Sequence, residues 1–318
     1  MKILGLPLSK ERCTICMEAK GTRCSFSPTL IPRTKKIGEL IYCDIGGPIT
    51  PISKDGEKYY LTIIDDYSHF MEVSLLKTKD QAKYYIIKYI RRLRNNDINV
   101  KRIRSDRGRE FVNDDLKLFY EENGIVQETT CSYTPQQNSI CERMNRTLAD
   151  RVRAMLLETN LPKYLWGEAM RCAAYVINRS PTKALEGDTP ARVWYGKSQL
   201  DKIRVFRSKA WCVLLPRLTK LEPRAKPMIM IGYCGSGYRL WNPKTNEIIE
   251  SRDVRFDKSN YRYEENERIS YIDYDENGES KTLTSKEPPS TSKEPEIEPS
   301  RSSKGDESSD DEENCNKK

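Results

Sequence analysis

From Glu39 to Glu158 the chain alternates between short apolar segments and longer segments of helical periodicity, in an order that few folds accommodate. Glu39 to Asp44, Lys58 to Ile64 and Phe70 to Leu76 read as three strands in succession, with turn signals between them. Asp80 to Arg94 then sets Tyr84, Ile87, Tyr89, Ile90 and Leu93 at helical spacing. Val100 to Ser105 is a fourth strand, and Asp114 to Glu122 a helix stopped by Asn123 and Gly124. Ile125 to Thr130 is a fifth strand. A long helix from Ser139 to Glu158 carries Ile140, Met144, Leu148, Val152 and Met155 on one stripe.

Three hairpin-linked strands followed by alternating helices and strands predict an α/β fold of the ribonuclease-H-like kind, in which acidic residues gather at strand ends. Further helices are predicted at Leu165 to Arg179 and Thr189 to Trp194. After Leu200 the pattern becomes short β segments, at Ala210 to Leu215, Pro227 to Tyr233, Tyr238 to Trp241 and Glu247 to Phe256. Gly235, Gly237 and Asn242-Pro243 supply turns, which predicts a small all-β barrel. From about Glu264 the chain is rich in Ser, Pro and Glu and ends in an acidic run, a composition expected to stay disordered. The expected units are therefore residues 1–33, a core over 34–198, a β domain over 199–262 and an acidic tail over 263–318.

The formal net charge is +8, but the last 38 residues hold seven basic and ten acidic side chains, so the first 280 carry +11. That excess favours a polyanionic partner by Coulomb attraction and counterion release. The ten cysteines show no disulfide rhythm, and Met1 to Lys10 is too short and too polar to act as a secretory leader. No apolar run approaches the ~20 residues needed to cross a bilayer. The expectation is a reduced, intracellular protein with no membrane partner.

Asp44, Asp106 and Glu142 carry the candidate chemistry. Asp44 and Asp106 end strands, and Glu142 opens the long helix with 35 residues between it and Asp106. Three hard carboxylates converging on one point suit Mg²⁺ or Mn²⁺ and need no histidine, of which the chain has one. Two such ions suit cutting and joining of phosphodiesters. Each acid also has a structural explanation. Asp44 precedes the Gly46-Gly47 turn, Asp106 can form an Asx turn before Gly108, and Glu142 completes a capping box with Ser139. Asp65 and Asp66, also at a strand end, rival the three as ligands.

GELIYCDIGGPI, YYLTIIDDYSHF, IRSDRGREF, CSYTPQQNSICERMNRTL and LPKYLWGEAMRCAAYVINRSPT resemble the integrase of Copia-type retrotransposons, as carried in retrovirus-related Pol polyproteins. GYRLWNPKTNEIIESRDVRFD resembles the SH3-like barrel that follows it there. The likeness runs to about Asp257. It implies that Asp44, Asp106 and Glu142 bind Mg²⁺ (or Mn²⁺) for 3′-end processing and strand transfer on DNA. It also implies a homo-oligomer with nuclear residence. The same likeness assigns DNA contacts to Tyr133, Gln136, Gln137 and Asn138, and to Asn145 and Arg146 on the long helix. Cys13 and Cys16 match only the cysteine half of the family's amino-terminal zinc module, so no complete zinc site is expected. Arg107 and Arg109 replace Asn and Gly beside Asp106, where they either bind DNA or pair with the acids and displace metal. Ser139 and Cys141 likewise stand where the family has small residues. With no polymerase following, the chain reads as part of an element, a decaying or host-captured copy.

Overall fold

The structure, a computed structural model, describes residues 34–129, 139–197, 200–213, 221, 223–235, 237–257, 270–274 and 280–284. Cys13, Cys16, Tyr133, Gln136, Gln137 and Asn138 lie outside these residues.

The first three predicted strands are β1 (Ile41–Gly46), β2 (Tyr59–Asp65) and β3 (Met71–Leu76), joined as antiparallel neighbours. β4 (Arg102–Ser105) and β5 (Val126–Thr129) add in parallel on the other side of β1, giving the order β3-β2-β1-β4-β5. Period-two alternation divides the sheet's two faces. Ile41, Cys43, Leu61 and Ile63 face α1 (Ala82–Arg94) and α2 (Asp114–Glu122). Tyr42, Tyr60 and Ile64 face α3 (Ser139–Thr159) and α4 (Trp166–Asn178).

Local sequence sets the helix limits. Asn113 caps α2 by accepting the Leu116 N–H at 3.0 Å, and Gly124 leaves the helix at φ +64°, a backbone state that favours glycine. α1 begins after a 3-10 turn at Lys79–Gln81 and buries Ala82, Ile86, Tyr89, Ile90 and Leu93. Its buried stripe is therefore Ile86 rather than Ile87, while Tyr84 is 61% exposed. The sheet selects the face that packs, and a tyrosine tolerates water where a sequence pattern counts it as apolar.

The second sheet, β6 (Lys209–Val213), β7 (Ala225–Cys234), β8 (Gly237–Asn242), β9 (Glu247–Ser251) and β10 (Val254–Phe256), is ordered β10-β6-β7-β8-β9. The single strand expected over Glu247 to Phe256 is broken: β9 pairs with β8 at one edge and β10 with β6 at the other. That crossing curls the sheet toward a barrel, helped by an irregularity between Met230 and Gly232. Within the tail expected to lack order, β11 (Ser270–Tyr274) and β12 (Ser280–Thr284) pair as an antiparallel hairpin. The intervening Asn277-Gly278 is a strong short-range hairpin signal, which the composition of the tail as a whole obscured.

The two sheets share one core through α4. Ile229, Ile231 and Trp241 pack with Trp166, Ala169, Met170 and Ala173. Arg239 on β8 donates to Glu168 on α4 from Nε at 2.6 Å and from Nη2 at 2.8 Å, and Arg171 adds a third bond at 2.9 Å. Tyr175 stacks on Tyr233 with ring centroids 3.8 Å apart.

Candidate active site

The parallel pairing of β1 with β4 aligns Tyr42 with Arg104, and two further residues bring Asp44 level with Asp106. Neighbouring strands lie only ~4.8 Å apart, so both carboxylates leave the sheet at the same end. After Asp44 and Ile45 come Gly46 and Gly47. A Cβ on Gly46 would overlap the Tyr60 ring, and Gly47 has φ +114°, so the turn that ends β1 needs both glycines. Asp44 lies on the α3 face, with Tyr42, where Asn145 donates from Nδ2 to its Oδ2 at 2.6 Å. The Asn145 Oδ1 is buried and has no hydrogen-bond partner.

Burial, and next the negative charge of Asp106, push the Asp44 carboxyl up to about 6; Asn145 lowers it and Glu142 raises it further. Like charges this close disfavour simultaneous ionisation. Asp106 also uses one oxygen to accept the Gly108 N–H at 3.0 Å, so the Asx turn expected there is formed. Glu142 is exposed on the first turn of α3. The structure thus gathers Asp44, Asp106 and Asn145, with Glu142 close enough to act on Asp44's charge. Among the described residues, no group of three or more His, Cys, Asp or Glu side chains is set closely enough to hold a metal ion. The donor set nevertheless fits a hard divalent cation, because half-buried Asp44 faces a second carboxylate with one side-chain donor to offset it.

The rival acids lie elsewhere. Asp65 pairs with Ile41, at the opposite end of β1 from Asp44. It accepts the Gly38 N–H, the Ser68 N–H and the Ser68 hydroxyl, all within 2.8 Å, and Asp66 accepts from Thr34. Asp65 is a loop anchor with most of its acceptor capacity taken up, and Asp66 ties Thr34 to the same turn.

Arg107, Arg109 and Arg146 are exposed, and none forms an ion pair among the described residues. Asn145, assigned to DNA by resemblance, is turned inward onto Asp44. Its spacing of three residues from Glu142 was the signal for a shared helical face, but which acid it would meet depended on the sheet. Glu168 and Arg239, 71 residues apart, gave no signal in sequence.

Residues 35–135 match the integrase core domain family, and residues 208–269 match the retroviral polymerase SH3-like domain. The chain carries an integrase core followed by a retroviral SH3-like domain. It is 40% identical over 255 residues to the Pol polyprotein of transposon TNT 1-94 from Nicotiana tabacum, covering 79% of this chain and 19% of that protein. It is 31% identical over 253 residues to the Pol polyprotein of transposon RE1 from Arabidopsis thaliana, covering 78% and 17%. The chain thus spans under a fifth of the length of these relatives. The catalytic core of BIV integrase aligns at 21% identity with a TM-score of 0.38, over 50% of this chain and 95% of that one. Among the described residues no helix is long and apolar enough to cross a membrane.

Proposed function

We propose that this chain is an integrase-type polynucleotidyl transferase acting on DNA, with Asp44, Asp106 and Glu142 as its metal-binding acids. The observation carrying this reading is the closeness of Asp44 and Asp106, two residues beyond the paired Tyr42 and Arg104, with Asn145 fixing Asp44 from the helix that bears Glu142. Two magnesium or manganese ions, when bound, would activate the attacking oxygen and neutralise the leaving one. Asn145 restrains the Asp44 carboxylate in one orientation, so that an incoming cation meets a preset oxygen. Arg146, exposed one residue beyond Asn145, is available to a DNA phosphate, as are Arg107 and Arg109 beside Asp106. In end processing, water attacks the phosphodiester and the 3′-oxygen leaves. In strand transfer that 3′-hydroxyl attacks a target phosphate and the target's own 3′-oxygen leaves. Tyr133, Gln136, Gln137 and Asn138 are proposed to contact the DNA end. Assembly as a homo-oligomer and residence in the nucleus follow from the same reading.

Purified full chain should nick or join DNA with Mg²⁺ or Mn²⁺. Asp106→Asn should lower that rate at least ~10³-fold without lowering the melting temperature. Equal activity in the variant would defeat the assignment.

A second reading is favoured by the absence, among the described residues, of a ready-made metal cluster and by the two arginines flanking Asp106. On it, the core and β domain bind DNA or chromatin without chemistry. Salt-sensitive binding with no nicking in either metal supports that version, and Mn²⁺-dependent cleavage removes it.

A further inference from the structure

A second concave site lies along the free edge of β3, away from Asp44 and Asp106. Two adjoining hollows of about 640 and 430 Å³ share Phe70, Tyr175, Asn178 and Tyr195 as walls. Met71 pairs with Ile64, which pairs with Tyr42, so the site opens at the start of β1 whereas Asp44 lies near its close. Asn178 closes the edge of the sheet there, accepting the Met71 N–H at 2.9 Å and donating to its carbonyl at 2.7 Å. Strand addition by a peptide is thereby blocked at that residue.

What remains open is aromatic and cationic. Trp194, from the short helix α5 (Pro190–Tyr195), stacks on Phe70 at 4.9 Å, and Tyr195 meets Phe70 edge-on and stands 57% exposed. Arg179 lies over the Tyr175 ring at 3.4 Å, and its Nε is buried without a hydrogen-bond partner. Neither Arg179 nor the exposed Lys197 forms an ion pair among the described residues, although both line the smaller hollow. Of the acids near the site, Glu72 is held by Arg92, and Asp201 is flanked by Lys202 and lies near Arg204 in sequence. Arg179 also donates from Nη1 to the Tyr175 carbonyl at 3.2 Å, which holds its unpaired charge at the wall of the hollow. An exposed ring beside that guanidinium and an ammonium answers a planar base joined to a phosphate.

We infer that this groove binds single-stranded nucleic acid, a base stacking on Tyr195 while its phosphates meet Arg179 and Lys197. The inference is independent of the carboxylate chemistry, and Asp106→Asn protein should bind the strand as the unmodified chain does. The test is fluorescence anisotropy of labelled oligo(dT) with full chain over a salt series, with a duplex of equal length as control. Tyr195→Ala should weaken oligo(dT) binding about tenfold and leave duplex binding unchanged. Lys197→Gln should reduce the salt slope for the single strand by about 0.7. Lys197 is exposed, so the melting temperature of its variant should not move, and loss of the edge-on Phe70 contact should lower that of Tyr195→Ala only slightly. Unchanged oligo(dT) affinity in both variants overturns the inference. So does stronger displacement of the oligonucleotide by an acidic Glu/Tyr peptide than by unlabelled strand at equal charge, which would assign the groove to a protein partner.

Discussion

Asp65 stands at one end of the β1–β2 pair, opposite Ile41, and Asp44 further along it, opposite Thr62; both are raised in pKa by burial. Their surroundings then diverge. Asp65 receives two N–H groups and a hydroxyl, and each lowers what burial raised. Asp44 receives one side-chain amide and the Ile45 N–H, and faces Asp106, which adds to the burial penalty. A buried carboxylate saturated by donors is part of the scaffold. One that faces another carboxylate is poised for a positive charge from outside. Glu168, held by Arg239 and Arg171, resembles Asp65 in this respect although its partners are ions.

The sharpest way to break this contrast is to remove the saturated acid. Asp65→Ala should cost about 3–4 kcal/mol in chemical denaturation, because three donors lose their acceptor inside the protein. A cost below 1 kcal/mol would mean Asp65 is no anchor. Glu168→Ala should cost about 3 kcal/mol by leaving the largely buried Arg239 without its main partner, and should loosen the β domain from α4. Protection of the β7 and β8 amides from hydrogen exchange would fall first.

Asp44 should behave oppositely. Its folded pKa of about 6 exceeds the unfolded value of about 3.9, so the metal-free folded state holds the proton more tightly. The resulting stability is full below about pH 4 and is lost as pH rises through 6. Asp44→Asn should therefore stabilise the metal-free protein by about 2 kcal/mol at pH 8 and not at all near pH 4. A pH-independent difference would refute the raised Asp44 pKa. The smallest effect belongs to Asn145. Asn145→Ala should weaken Mn²⁺ binding, measured by calorimetry, about tenfold while sparing the fold.

Much of the scaffold was legible because periodicity and turn chemistry are local. The three leading strands, the stop of α2 at Asn123 and Gly124 and the glycines after Asp44 are all properties of a few adjacent residues. Boundaries that depend on a distant partner were harder to read. The break between β9 and β10 follows from which edge each half can reach, and the inward face of α1 from where the sheet lies beneath it. The tail's hairpin was hidden because composition averages over a window in which two short strands alternate with charged residues.

The candidate site divides in the same way. Sequence alone determined that one carboxylate follows β4 and another begins a long helix, since strand ends and helix starts are written in local pattern, whereas Asp44, expected to end its strand, lies inside β1, which runs on to Gly46. Only the tertiary structure decided that Asp44 lies level with Asp106, that Asn145 turns to Asp44 rather than to solvent, and that Asp65 is already satisfied. Strand register and side-chain saturation are set by partners far along the chain. A carboxylate's chemistry depends on the charges and donors that folding places around it.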